Sequence, residues 1–211
     1  MLLSRYIPRI IAGIVTIIVV ATGVQFLRDS AESPVAILSS FDFGPLRGEE
    51  NPGRGAQPGE LIDIRHLTDK NGQNLADYSR ADLTLLAVID PECWATSTAV
   101  DHILDVERGA REIGVDYFLV SFTYDESSSR FWEVAQRISP NTIPFLWDQN
   151  ERPPESLITM VVPSFLVVDR SGTILQTFPG TNVNADTRAK MASRTIEEVA
   201  KLKTNLANGS Y

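Results

Sequence analysis

The sequence predicts an α/β domain, a central mixed sheet flanked by helices, behind an apolar N-terminal segment. Three observations carry this. Apolar runs of strand length recur at Leu83–Ile89, Asp116–Phe122 and Ser164–Val168. Stretches with helical spacing of apolar residues alternate with them, at about 94–113 and 127–138, and a longer one follows at 185–206. The strand at Ser164–Val168 and its successor Thr173–Phe178 are separated by Asp169-Arg170-Ser171-Gly172, a hairpin turn, which adds antiparallel pairing to a strand–helix–strand order.

Taken in chain order, Arg5 and Arg9 precede an apolar run over residues 10–27. As a helix rising ~1.5 Å per residue it spans ~27 Å, enough for a hydrocarbon core. Basic residues before the run, and Asp29 and Glu32 after it, predict a cytoplasmic N-terminus (1–9), a single transmembrane anchor and an exported body, periplasmic in a bacterial cell. A cleaved signal peptide is the rival, with Ala21-Thr22-Gly23 as the small-residue site; the apolar run continues past it to Leu27, which favours an uncleaved signal anchor. Residues 28–57, rich in Gly, Pro and charge, read as a flexible linker on which Phe41 and Phe43 are the apolar points. The globular domain is expected over 58–206, with a short tail at 207–211.

Within that domain, Leu61–Ile64 and Asn74-Leu75 around the turn Asp69-Lys70-Asn71-Gly72 predict a leading hairpin. The unbroken apolar run Leu83–Ile89 is a strand buried on both faces. Val100, Ile103, Leu104, Val106, Ala110 and Ile113 give the next helix its inner side, and Gly114 ends it. Phe131, Trp132, Val134 and Ala135 are the expected inner side of the second helix, and Pro144–Trp147 is a short extended piece. Ile196, Val199, Ala200 and Leu202 mark the apolar side of the last helix.

Composition narrows the function. The net charge is −8, with no basic run, which excludes the phosphate neutralisation that nucleic-acid binding needs. A single cysteine excludes an intramolecular disulfide framework and a multi-cysteine metal site. Two histidines, His66 and His102, are too few for a His-rich centre and are expected at the surface or half-buried. Neither metal nor cofactor is expected. The cysteine, Cys93, stands just after the run ending at Ile89, behind Asp90-Pro91-Glu92 and ahead of Trp94 and Thr96. A thiol there faces the unpaired N–H groups of a helix start, which favour thiolate, while Asp90 and Glu92 oppose it.

The Asp69-Lys70-Asn71-Gly72 turn, the strand leading to Cys93 and the segment Val162-Pro163-Ser164-Phe165-Leu166-Val167-Val168-Asp169-Arg170-Ser171-Gly172, together with the N-terminal anchor, resemble the thioredoxin-fold group of membrane-tethered, exported thiol–disulfide oxidoreductases and their redoxin-like relatives. The resemblance covers about residues 58–206. It implies a thioredoxin-like fold, a nucleophilic role for Cys93, a cis bond before Pro163, and substrate contacts from the backbone at Val162 and Pro163; Trp94, after the cysteine, either walls that substrate groove or packs on the domain. It also implies exported protein or small-molecule thiols and disulfides as partners. Departures limit the carry-over. Thr96 occupies the resolving-cysteine position, a CxxT variant in which its hydroxyl is a candidate donor to a Cys93 thiolate. Glu92 rather than tryptophan precedes the cysteine, Ala87 replaces a buried acid, and Asp90 and Leu86 stand where the peroxidase pattern needs threonine and proline. Dithiol exchange in its ordinary form is thereby excluded. Three readings remain, in this order: monothiol thiol–disulfide exchange through Cys93, a non-catalytic binding or assembly module, and a one-cysteine peroxidase. Copper carriers of this fold use two cysteines and a histidine, a set this chain lacks.

Overall fold

A computed structural model describes residues 55–122, 128–158, 160–180, 182 and 184–209. The apolar run 10–27, expected as the membrane anchor, and residues 28–54 of the expected linker lie outside the described residues. Among the described residues, no helix is long and apolar enough to cross a membrane.

The described part contains β1 (Leu67–Thr68), α1 (Leu75–Tyr78), β2 (Leu83–Val88), α2 (Trp94–Thr98), α3 (Val100–Glu112), β3 (Asp116–Ser121) and α4 (Ser128–Ile138). There follow β4 (Pro144–Trp147), α5 (Glu155–Ile158), β5 (Ser164–Asp169), β6 (Ile174–Pro179) and α6 (Ala185–Ala207). Six strands form one sheet in the order β1-β4-β3-β2-β5-β6. β2, β3 and β4 run parallel; β5, β6 and β1 are antiparallel to their neighbours. The mixed sheet expected from the sequence is present.

β2 is central because it has no solvent face to defend: all six of its residues are buried. Leu85 and Ala87 point to one side, where Ile103 and Val106 of α3, Phe131 and Ala135 of α4, and Val199 of α6 close over them. Leu86 and Val88 point to the other, where Ile62, Leu67, Leu75 and Leu157 cover the sheet. The long helices thus share one face, while the opposite face is covered by the segment ahead of β2 and by the short α5. Covering begins before residue 58, because Ala56 is buried and its carbonyl accepts from the Thr177 hydroxyl at 3.1 Å.

The leading hairpin does not form. Leu61 bridges Thr173 beside β6, Ile64–His66 is a turn of 3-10 helix, and Asn74 makes one bridge to Thr68 before Leu75 opens α1. The turn itself is present, but the buried carboxylate of Asp69 organises it by accepting from the N–H groups of Asn71 (2.8 Å) and Gln73 (2.9 Å) and from Tyr78 Oη (3.0 Å). The strand that leaves the turn is therefore diverted into helix, and β1 pairs with β4. The other hairpin, β5–β6, closes as expected: Asp169 Oδ1 accepts from Ser171 N and Thr173 N, and Gly172 takes a positive φ of 86°.

The single helix expected over 94–113 is two. It breaks at Ala99 (φ −103°, ψ 15°), and α2 is only five residues long.

Candidate functional site

β2 ends at Val88, and the Ile89 N–H still donates to Val120 O at 2.9 Å. The chain then turns. Asp90 accepts from Glu92 N through its side chain (2.8 Å) and from Cys93 N through its carbonyl (3.2 Å). Cys93 is the N-cap of α2, extended at φ −75° and ψ 124°, with its carbonyl accepting from Thr96 N at 3.1 Å. Its thiol is free, and the residue is half-buried. The break at Ala99 confines the N–H groups acting on that sulfur to the first turn of a short helix.

The antiparallel register of β2 and β5 pairs Val88 with Ser164. Pro163 is thereby set at the end of β2 from which the Cys93 loop departs. The Val162–Pro163 bond is cis. Pro163 is buried, and its carbonyl accepts from Gly180 N at 2.9 Å. A Cβ on Gly180 would stand 2.4 Å from that carbonyl oxygen, so the end of β6 lies directly against the Pro163 backbone. Among the described residues, neither the N–H nor the C=O of Val162 makes a hydrogen bond. Two large apolar side chains stand out into solvent on either side of this junction: Trp94, 63% exposed, next to Cys93, and Val161, 62% exposed, next to Val162. Trp94 therefore does not pack on the domain.

No family model matches the sequence, and no curated protein matches it. Solved structures do match its architecture. The chain is similar to the thioredoxin domain of a thiol-disulfide oxidoreductase from Bacteroides vulgatus, with a TM-score of 0.50 at 14% identity over 67% of this chain and 99% of that one. A candidate protein disulfide isomerase from Bacteroides thetaiotaomicron gives 0.53 at 11% identity over 75% and 99%. A candidate thiol:disulfide interchange protein from Chlorobium tepidum gives 0.50 at 14% over 69% and 99%. The fold is thioredoxin-like. Identities this low establish the fold alone, so any chemistry has to come from this chain's own residues.

In this thioredoxin-like domain Thr96 is buried, and its hydroxyl accepts from the N–H of Asp90 at 3.4 Å. No hydrogen bond joins it to the Cys93 sulfur among the described residues. The hydroxyl thus ties α2 back to the loop that presents the thiol. Glu92, beside Cys93, pairs with Arg130 of α4 at 3.1 Å; both side chains are well exposed, so the pair is worth little in energy and mainly orients the loop. Ala87 is fully buried between Phe165 and Leu119, so no acid lies beneath the thiol from β2. Cys93, Trp94, Val162 and Pro163 are brought to one end of the sheet, with Thr96 underneath.

Sequence reasoning missed His102. It is buried in the first turn of α3, where surface or half-buried placement was expected; His66 is half-buried. The ring stacks edge-on against Phe165, two residues past Pro163. Nδ1 lies 2.9 Å from the carbonyl oxygen of Arg188 on α6, so Nδ1 carries the proton, and Nε2 has no partner among the described residues. Burial lowers the pKa of this imidazole, against the opposing pull of the Arg188 carbonyl, Asp101 and Asp105. Arg188 in turn pairs with Asp101 at 2.9 Å and holds its carboxyl below the ordinary carboxylate range. A hydrophobic period places a residue at 102 on the helix, but the signal for burial, a facing carbonyl on α6, is not local.

Proposed function

We propose that this protein is a membrane-anchored, extracytoplasmic thioredoxin-like protein that performs monothiol thiol–disulfide exchange through Cys93. The observation that carries the reading is the junction at the end of β2: a free thiol on a half-buried residue at a helix start, on the same sheet end as Pro163, with the backbone of Val162 unpaired among the described residues. A partner strand laid against Val162 would complete those two hydrogen bonds, and Trp94 and Val161 offer it apolar surface.

The exchange balances with two sulfur transfers. Cys93 loses its proton and attacks one sulfur of a partner disulfide; a Cys93–S–S–partner bond forms, the partner's own S–S bond breaks, and its second sulfur leaves as thiolate and takes up a proton. With Thr96 in the resolving position, no second thiol of this chain can displace the partner. An external small thiol then attacks the partner's sulfur: a disulfide between that thiol and the partner forms, the bond to Cys93 breaks, and Cys93 leaves as thiolate and takes up the proton the attacking thiol lost. The anchor at 10–27 would hold the domain at the outer face of the cytoplasmic membrane, where disulfides persist.

A second reading, a binding or assembly module of the same fold, is favoured by one observation. The Thr96 hydroxyl accepts from Asp90 N–H and, among the described residues, makes no hydrogen bond to the Cys93 sulfur. The two separate on incubation of the full chain with oxidised glutathione. Exchange gives a one-to-one adduct on Cys93, removed by free thiol and absent in Cys93→Ser. A Cys93 that alkylates with iodoacetamide yet never forms the adduct leaves only the binding module. A sulfenic acid formed rapidly with hydrogen peroxide would point to peroxidase chemistry instead.

A further inference from the structure

A cleft of about 260 Å³ opens where β4 begins, outside the residues that present Cys93. Strand order separates them: β4 and β1 form one edge of the sheet, whereas Cys93 leaves β2, two strands inward from β4 and beside β5. Its apolar surface comes from Trp132 of α4, from Pro140 and Ile143 of the segment leading into β4, and from Pro144 at the start of β4. Ile143 is 41% exposed, an unusual position for an isoleucine in a segment otherwise turning inward. Trp132, placed on the inner side of its helix by the sequence pattern, is only half-buried because this cleft lies over it.

Buried, hydrogen-bonded carboxylates hold both walls, Asp69 within the lining and Glu107 behind it. On one side Asp69 holds the turn through Asn71 N, Gln73 N and Tyr78 Oη. Burial alone would raise its pKa, but these donors outweigh that and hold the group below its ordinary value, so it is a satisfied anion and not a free one. On the other side Glu107 of α3 accepts from Thr142 Oγ1 (2.8 Å), from the Ser139 hydroxyl and from Arg111 Nε (3.0 Å). Thr142 is thereby set in the cleft wall by a partner it does not share with the cleft. The lining thus mixes four apolar residues with six polar ones, and in a concave small-molecule site the first supply contact area while the second fix orientation.

The rim decides the ligand. Lys70 is the cation among the lining residues and makes no ion pair among the described residues; Asp69, the one lining acid, keeps its charge but directs its oxygens to the Asn71 and Gln73 N–H groups and to Tyr78 Oη. The amides of Asn71 and Gln136 supply neutral donors beside it. We propose that this cleft binds a small organic acid with a flat apolar body, the ring against Trp132 and Ile143 and the carboxylate at Lys70. The proposal is independent of any chemistry at Cys93.

Phenylacetate and its uncharged counterpart phenylacetamide test it, titrated against the full chain in lipid nanodiscs while the δ1 methyl resonance of Ile143 is followed. A saturable shift with phenylacetate is expected, at a dissociation constant of about 1 mM or tighter, which is the affinity a ligand of this size reaches. The amide should bind about threefold more weakly, and Lys70→Met should remove that preference while leaving amide binding unchanged, as an exposed charge pair dictates. Cys93→Ser should bind as the parent does. No saturable shift up to about 10 mM, well beyond that affinity, would overturn the site. Equal binding of acid and amide by the parent chain, or a preference that survives Lys70→Met, would overturn the assignment of ligand class.

Discussion

Replacing His102 by glutamine separates a buried imidazole's hydrogen bond from its titration. The glutamine amide can still donate to the Arg188 carbonyl, but it cannot take up a proton. In the parent chain the folded state resists protonation at His102, because Nε2 is buried without a partner among the described residues and burial lowers the pKa from its ordinary 6.5. The unfolded chain carries no such penalty. Below pH 6.5 it therefore binds more protons than the folded chain, so stability is fully present above that value and falls as pH drops toward the lowered folded-state pKa. An imidazole that titrates only in the unfolded chain gives a linkage integral of about 1.4 kcal/mol between pH 7.5 and 5.5, a tenfold change in the unfolding constant, and this is the ceiling for His102. Urea denaturation of the full chain in detergent at pH 7.5, 6.5 and 5.5, followed by tryptophan fluorescence, reads it. The parent should lose more stability than His102→Gln over that range, by at most about 1.4 kcal/mol. His66 is common to both proteins and cancels. Equal losses in the two would refute the assignment of His102 as a neutral, buried base.

Three further outcomes follow from the packing. Gly180→Ala places a methyl 2.4 Å from the Pro163 carbonyl oxygen, so the backbone beside Val162 must move; glutathione adduct formation should slow on the order of tenfold, as misplacement of a binding backbone does, while iodoacetamide still alkylates Cys93 at close to the parent rate. Glu107→Ala leaves the buried hydroxyls of Ser139 and Thr142 without their acceptor, and chemical denaturation should show a loss of about 2–3 kcal/mol. Tyr117, buried beside Glu107, has its phenol pKa pushed well above the ordinary value, first by burial and then by that carboxylate, so ultraviolet titration of the folded chain should leave it protonated until the protein unfolds in alkali.

The parts of this fold legible in the sequence are those whose signal is local and repeated. Leu83–Ile89 has no charge to place in solvent, so it reads as a central strand and is one; β5 and β6 are announced by the turn Asp169–Gly172 between two apolar runs. Val199 and Phe131 fall where helical period puts them. What failed depends on distant partners. Leu67–Thr68 is two residues long and is a strand only because β4 is beside it, and Asn74-Leu75 leaves the turn as helix because Asp69 and Tyr78 close it off. The break at Ala99 has no glycine or proline to mark it. At the candidate site, the thiol, the exposed tryptophan and Pro163 were all named from the sequence, since a strand end and a hairpin start are visible there. The destination of the Thr96 hydroxyl was not, because residue spacing cannot tell a bond to Asp90 N–H from one to a sulfur. His102 and Glu107 were invisible for the same reason: each is buried against groups supplied from another part of the chain.

The most direct measurement at the proposed center of function is intact-mass analysis of the full chain after exposure to oxidised glutathione, read alongside iodoacetamide alkylation of the same sample. One glutathione per chain on Cys93, reversed by added thiol and absent in Cys93→Ser, is the result expected of a monothiol exchanger. A thiol that alkylates readily but carries no glutathione at any time would contradict it.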